Sequence, residues 1–329
     1  MSTPRLSLAL AALLAALAGG AAAQTTGERG ASILIYPKIV TDGSADTLVQ
    51  LVNLTGSRVS AFCSYVDGLD GWAVASFALT LEPRQPLSWT AARGRDASGG
   101  GENAVPAAPA DLRGELVCVE TDTAGAPASD NRLAGHATGI AHADGDAASY
   151  AAVGLRGSGF NDGDETLCIG GTPSDACILA EYDACPGEWI IAHASEGAGQ
   201  PQGDATLTTR FAIAPCSQNV RDAEPTTVDI DLEVTNAFAE RFTGSASVRC
   251  WADLSLAEIG DGLFARGTLG SDAIQTRLRP AAGSGGFVLS AEVESRDGAG
   301  GPVRSRSGAP AHQRGAAQPD LIVLPMGRP

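Results

Sequence analysis

The sequence predicts an all-β fold, on three observations. Several segments alternate apolar and polar residues with a period of two. Clusters of Gly, Asp, Asn and Pro separate those segments. No stretch beyond the N-terminal leader shows a long apolar period of 3.6. Alternation sets one side of a strand toward a core and the other toward water, and the turn-forming clusters supply the reversals that antiparallel strands need.

The clearest strand is Thr227 to Asn236, TVDIDLEVTN. Val228, Ile230, Leu232 and Val234 fall on one face, Asp229, Asp231, Glu233 and Thr235 on the other. Phe242 to Cys250 repeats the pattern, with Phe242, Gly244, Ala246, Val248 and Cys250 inward. Further strands are expected at Ser32–Ile39, Thr47–Asn53, Val59–Val66, Ser76–Leu81, Gly114–Glu120, Ser149–Leu155, Thr208–Ala214, Phe287–Glu294 and Leu321–Leu324. Short strands at this spacing point to antiparallel sandwiches.

A weak internal repeat sets the expected domain plan. SILIYPKIV, DTLVQLVN, SRVSAFCSYV, RGELVCVE and ASYAAVGL are answered in order by TRFAIAPCSQNV, TTVDIDLEVTN, GSASVRCWADL, GGFVLSAEVE and PDLIVLP. Pro37 answers Pro215, Asn53 answers Asn236, Cys63 answers Cys250 and Gly114 answers Gly286. Two tandem immunoglobulin-like antiparallel β-sandwiches are therefore expected, at residues 24–160 and 204–329, with 161–203 as a Cys- and Gly-rich connection.

Residues 1–23 read as a secretory signal peptide. Arg5 is the n-region charge, Leu6 to Leu17 the apolar region, and Ala21 to Ala23 meets the small-residue rule, so cleavage is expected after Ala23. The apolar run is short and Ala-rich for a membrane anchor, no Cys follows it to carry lipid, and no later stretch is apolar enough to span a bilayer. The expected address is secreted or periplasmic, with no integral membrane segment in the mature chain. Removing 23 of the 329 residues leaves 306 and takes the net charge from −16 to −17. That charge repels nucleic acid and anionic lipid. Lys38 is the only lysine.

Seven cysteines in an exported chain argue for disulfides, with one thiol left over. Cys63 with Cys118 is expected as a sheet-to-sheet bridge worth about 4 kcal/mol through its loop of about 55 residues. Cys168 is expected to pair with Cys177, and Cys216 with Cys250, leaving Cys185. No C-x2-C pair or His-Cys spacing suggests zinc.

SILIYPKIV, DTLVQLVNLTG, SAFCSYVDG, GELVCVETD, CPGEWIIAHASEGAG and TRFAIAPCSQN together resemble a group of exported bacterial proteins of unknown function. The resemblance covers most of the mature chain, implies export and a shared fold, and carries no catalytic residues. A looser likeness is to periplasmic pilus chaperones, two immunoglobulin-like domains whose first strand bears a similar Pro. That likeness implies a basic pair in the interdomain cleft, for which Lys38 and one Arg stand as candidates.

Motifs for catalysis are few. No G-x-S-x-G occurs, and His136, His142, His193 and His312 belong to no metal-ligand pair. His193 follows the apolar Trp189-Ile190-Ile191 run and reads first as a packed side chain, second as a base. The carboxylate runs at Asp67–Asp70, Asp144–Asp146 and Asp162–Glu165 read as solvated turns. Asn161, Asp162 and Asp164 in the GSGFNDGD segment are the candidate calcium ligands, although a single copy lacks the tandem repetition and EF-hand spacing of known loops. Among Trp72, Trp89, Trp189 and Trp251, Trp72 sits in a Gly/Asp loop and is the best candidate for an exposed sugar-stacking ring, while Trp251 is expected in the core or at a sheet edge. Asn53-Leu54-Thr55 reads as a turn.

The function these features favour is an exported, non-enzymatic protein acting in surface, matrix or partner binding, with no cofactor. Its partner would be a protein or polysaccharide at the cell exterior. The alternatives are a secreted carbohydrate-binding protein or hydrolase, and a periplasmic assembly chaperone.

Overall fold

The computed structural model describes residues 29–96, 103–142, 145–171, 177, 179–199, 205–297 and 303–326; the signal peptide expected at 1–23 lies outside them. The chain is all-β. Its first half carries β1 (Ile33–Val40), β2 (Ala45–Asn53), β3 (Val59–Asp67), β4 (Ala73–Leu81), β5 (Pro86–Thr90), β6 (Arg113–Thr121), β7 (Leu133–Ala141), β8 (Ala147–Ala151) and β9 (Val153–Leu155). Then come β10 (Thr166–Ile169), β11 (Pro186–Ala194), β12 (Ala198–Gly199), β13 (Ala205–Pro215), β14 (Gln218–Asn219), β15 (Thr227–Asn236), β16 (Arg241–Arg249) and β17 (Ala252–Ser255). Two short helices, α1 (Leu256–Gly260) and α2 (Arg266–Leu269), precede β18 (Ala273–Pro280), β19 (Phe287–Asp297), β20 (Val303–Ala309), β21 (Ala311–Ala316) and β22 (Asp320–Val323).

These strands make five small sheets. Their orders are β4-β3-β6-β1-β9, β5-β2-β7-β8, β10-β22-β14, β16-β15-β18-β11-β21 and β12-β13-β19-β20, with β17 added on β13. Among the described residues, these strands pair antiparallel except β14 with β22. The sheets sit in a propeller-like ring: β5-β2-β7-β8 covers the β1/β6 sheet, β1 touches β13 and β19, and β20 runs beside β8.

This corrects the expectation of two tandem immunoglobulin-like sandwiches, and β1 shows why. Leu34 and Tyr36 pack into one apolar cluster with Cys63, Leu116 and Cys118. Ile33 and Ile35 point the other way, into a second cluster built with Trp189, Phe211 and Phe287 from the C-terminal half. A sandwich sheet leaves one face to water; this one is covered on both. The near-continuous apolar run of β1 is the signature of a strand buried on two sides. The halves therefore share a core.

Alternation held where one face meets water. In β15, Val228, Ile230, Leu232 and Val234 are buried while Asp229 and Asp231 are exposed. The segment expected as one strand at Ser149–Leu155 is divided at Ala152 between β8 and β9, which belong to different sheets. Pro310 makes a similar switch, from β20 in one sheet to β21 in the next. Its missing N–H breaks the ladder where the chain changes partner.

Three disulfides are present: Cys63–Cys118, Cys168–Cys177 and Cys185–Cys216. The first two pairings are as expected. Cys63–Cys118 does not join two sheets, however; the residues lie directly opposite on adjacent strands β3 and β6, with Cα atoms 4.0 Å apart. The expected Cys216–Cys250 pair is corrected. Cys216, at the end of β13, meets Cys185, which leads into β11, whereas Cys250 is a buried free thiol. Cys250 follows β16 in the left-handed backbone region, with φ 60°, and directs its sulfur toward Gly71 in the other half.

Candidate functional site: an ionic cleft where three sheets meet

A local irregularity in β1 builds the site. Tyr36 faces Leu116 and Ile39 faces Gly114, so Pro37 and Lys38 together oppose the single residue Glu115. Such a bulge bends the strand and re-aims a side chain. Pro37 suits the break because it has no N–H to offer. Its carbonyl accepts from Trp251 Nε1 at 2.7 Å, and the Lys38 carbonyl accepts from the Tyr150 hydroxyl.

The bulge delivers the chain's only lysine into a cleft of about 270 Å³. The β1/β6 sheet contributes Lys38 and Arg113, the β2/β7/β8 sheet Asp46 and Tyr150, and the β13/β19 sheet Arg210, Glu292, Glu294 and Arg306. Lys38 Nζ lies 3.1 Å from Asp253 Oδ2 and 2.5 Å from Glu292 Oε2. Arg210 Nε holds the other oxygen of Asp253 at 3.1 Å, and Arg210 Nη1 reaches Glu258 at 3.4 Å. Glu258 is positioned by the capping box it forms with Ser255 at the start of α1. Glu294 pairs with Arg296 and, at 3.4 Å, with Arg306; Arg113 pairs with Asp42 at 2.5 Å on the rim.

Electrostatics lock these charges. Burial alone would lower the Lys38 pKa, but Asp253 and Glu292 outweigh it and hold the ammonium above its ordinary value. Burial would raise Asp253, yet Lys38 and Arg210 keep its carboxyl below the usual range. Arg210 is likewise pushed up, against burial, by Asp253 and Glu258. Burial in the cleft, with Glu292 adding to it, raises the Tyr150 phenol well above its usual value. Asp46 accepts from the Thr47 and Ala92 amides at 2.7 and 2.9 Å, and the other charges named here fall in opposite pairs, so the cleft is dense in polar atoms and mixed in sign.

The other residues singled out from sequence lie elsewhere. His193 is buried on β11, with Nδ1 2.9 Å from Thr209 Oγ1 and Nε2 2.7 Å from Thr276 Oγ1, edge-on to Phe211. Burial lowers its pKa to about 4, which keeps the ring neutral. Asn161, Asp162 and Asp164 cap backbone amides two residues ahead, at 2.7, 3.1 and 2.7 Å, in a run of surface turns. Asn161 Nδ2 also donates to Tyr182 at 2.8 Å. Among the described residues, one trio of Cys and carboxylate side chains brings its ligand atoms within 4.8 Å: Cys185, Cys216 and Asp320, two of them joined in a disulfide. Trp89 and Trp189 are buried, Trp251 is half-buried, and Trp72 is 51% exposed. Asn53 ends β2 in a turn, its Oδ1 accepting from Thr55 N at 2.8 Å.

Sequence reasoning named Lys38 only as half of an undefined basic pair and missed the cleft's acids. The signal was there in part: a lone lysine after a proline within an apolar strand marks an interrupted ladder. Nothing local told that Asp253 and Glu292, more than two hundred residues on, would meet it.

No family model and no curated protein matches the chain. A solved structure, that of Thermotoga maritima 1070, aligns over 39% of this chain and 98% of its own, at 9% identity and a TM-score of 0.28, too slight a likeness to assign a shared fold.

Proposed function

We propose that this is an exported, non-enzymatic binding protein whose ionic cleft seats a protein segment carrying charges of both signs. One observation carries the reading: the cleft's charged groups form opposite pairs where three sheets meet, with Lys38 reaching Asp253 and Glu292 on a different sheet and with Lys38 and Asp253 held ionised. Groups so clamped are poor proton donors or acceptors near neutrality, which disfavours acid–base chemistry, whereas alternating signs complement a partner of mixed charge. Three disulfides fit an oxidising exterior. A chaperone-like grip on a foreign carboxylate would have to displace Asp253, which already occupies Lys38 and Arg210.

The test is binding of the mature chain to a displayed library of mixed-charge peptides, beside a panel of neutral and acidic polysaccharides. Peptide binding should weaken with salt and fall at least tenfold in Arg113→Gln/Arg306→Gln, which alters the rim. Peptide hits indifferent to that double substitution would sink the proposal. Retention on polysaccharide alone, abolished by Trp72→Ala, would favour the second reading, carbohydrate binding at the exposed Trp72 ring.

A further inference from the structure

Glu115 sits on β6, opposite the bulge that carries Lys38, and only 1% of it is exposed. Its side chain turns away from the ionic cleft toward the seam between β6 and β14. There Oε1 accepts from Gln218 Nε2, across 103 residues of sequence. Oε2 has no donor among the described protein groups, and neither does Gln218 Oε1, although both are buried. Gln218 cannot supply the missing donor. Its second amide hydrogen is committed to the Pro215 carbonyl at 2.8 Å, and turning the amide over would set its oxygen against that carbonyl, acceptor to acceptor.

A buried acceptor without a donor is destabilising, and a buried unpaired carboxylate more so. Among the described residues bordering the cavity, none is a cation. The groups bordering the small cavity at this seam are Val66 of β3, Pro215, Thr226, Glu224 and the Cys250 thiol. Lys38, on the neighbouring strand, is turned to Asp253 and Glu292. The other charges near Cys250 are Arg249 and Asp70, both exposed, and the half-buried Asp67.

We infer that Glu115 is held in the folded protein as a neutral carboxylic acid, its proton donated to Gln218 Oε1, and that this acid–amide pair is a latch between β6 and β14 that opens when the medium turns alkaline. Burial pushes the Glu115 carboxyl up to about 8, with the Gln218 hydrogen bond offsetting part of the rise, so the direction agrees with the geometry. Ionisation would leave a carboxylate facing an amide oxygen with no counter-ion, and the seam would part beside Cys250.

Cys250 is a built-in reporter, because it is a free thiol and borders the same cavity. The experiment follows the rate at which N-ethylmaleimide labels Cys250 in the wild type and in Glu115→Gln, from pH 6 to pH 9. Thiol ionisation raises both rates alike, so the ratio isolates Glu115. The ratio of wild type to variant should rise several-fold over that range; a constant ratio overturns the latch. Should the variant not fold, the backbone-assigned carboxyl ¹³C signal of Glu115 in the wild type decides. It should titrate near pH 8. Titration with the ordinary carboxylates, the result if a buried water donated to an ionised Glu115, would overturn the proposal.

Discussion

Lys38 Nζ lies 2.5 Å from Glu292 Oε2, joining residues 254 apart in sequence at the meeting of three sheets. Both side chains are nearly buried, at 10% and 3% exposure, so removing Lys38 strands Glu292, whereas removing Glu292 leaves Lys38 with Asp253. Lys38→Met should destabilise the fold by about 3–5 kcal/mol, the range for a broken buried pair. Lys38→Met/Glu292→Leu should cost less than the two single changes summed, because the double variant strands no Glu292 charge. Equilibrium urea unfolding of the four proteins reads both effects.

His193 predicts how stability responds to acid. Its folded pKa is lowered to about 4 by burial, from an ordinary value of 6.5. Between those values the unfolded chain binds the proton and the folded one refuses it, so stability rises with pH there and is lost as pH falls from about 6.5 to 4. The full loss is roughly 3 kcal/mol, at about 1.4 kcal/mol per unit. Unfolding midpoints across this window should show that slope, and His193→Gln should flatten it.

The thiols give a direct count. The denatured, unreduced protein should react with one equivalent of a thiol reagent, and Cys250→Ser with none. Cys216→Ser, by contrast, should release a second thiol, from Cys185. Two equivalents from Cys250→Ser, from Cys185 and Cys216, would show that the pairing of Cys185 with Cys216 is misplaced.

The tryptophans separate core from surface. Trp189 is 1% exposed and donates from Nε1 to the Phe287 carbonyl at 3.1 Å. Trp189→Ala should cost about 3–5 kcal/mol, as large core truncations do. Trp72→Ala, at a half-exposed loop position, should stay within about 0.5 kcal/mol. Thermal unfolding of the two variants tests the contrast.

Much of the fold was legible. The alternation in β15 and β16 named their inward faces, since one side of each meets water. β7 was not: LEU-ALA-GLY-HIS-ALA has little β preference, and the strand exists because β2 and β8 pair with it from both sides. β18 could have been read, because Ile274, Thr276 and Leu278 alternate inward.

By itself, the sequence determined the all-β class, most strand positions, the local pairing Cys168–Cys177, and the exposure of Trp72. Those properties depend on periodicity, turn chemistry and short-range spacing, which a chain carries locally. Tertiary structure alone decided that β1 is covered on both faces, that Cys216 meets Cys185, and that Lys38 is clamped by Asp253 and Glu292. Each of these depends on which sheet closes over which, and a strand's residues record that they are buried without recording what buries them.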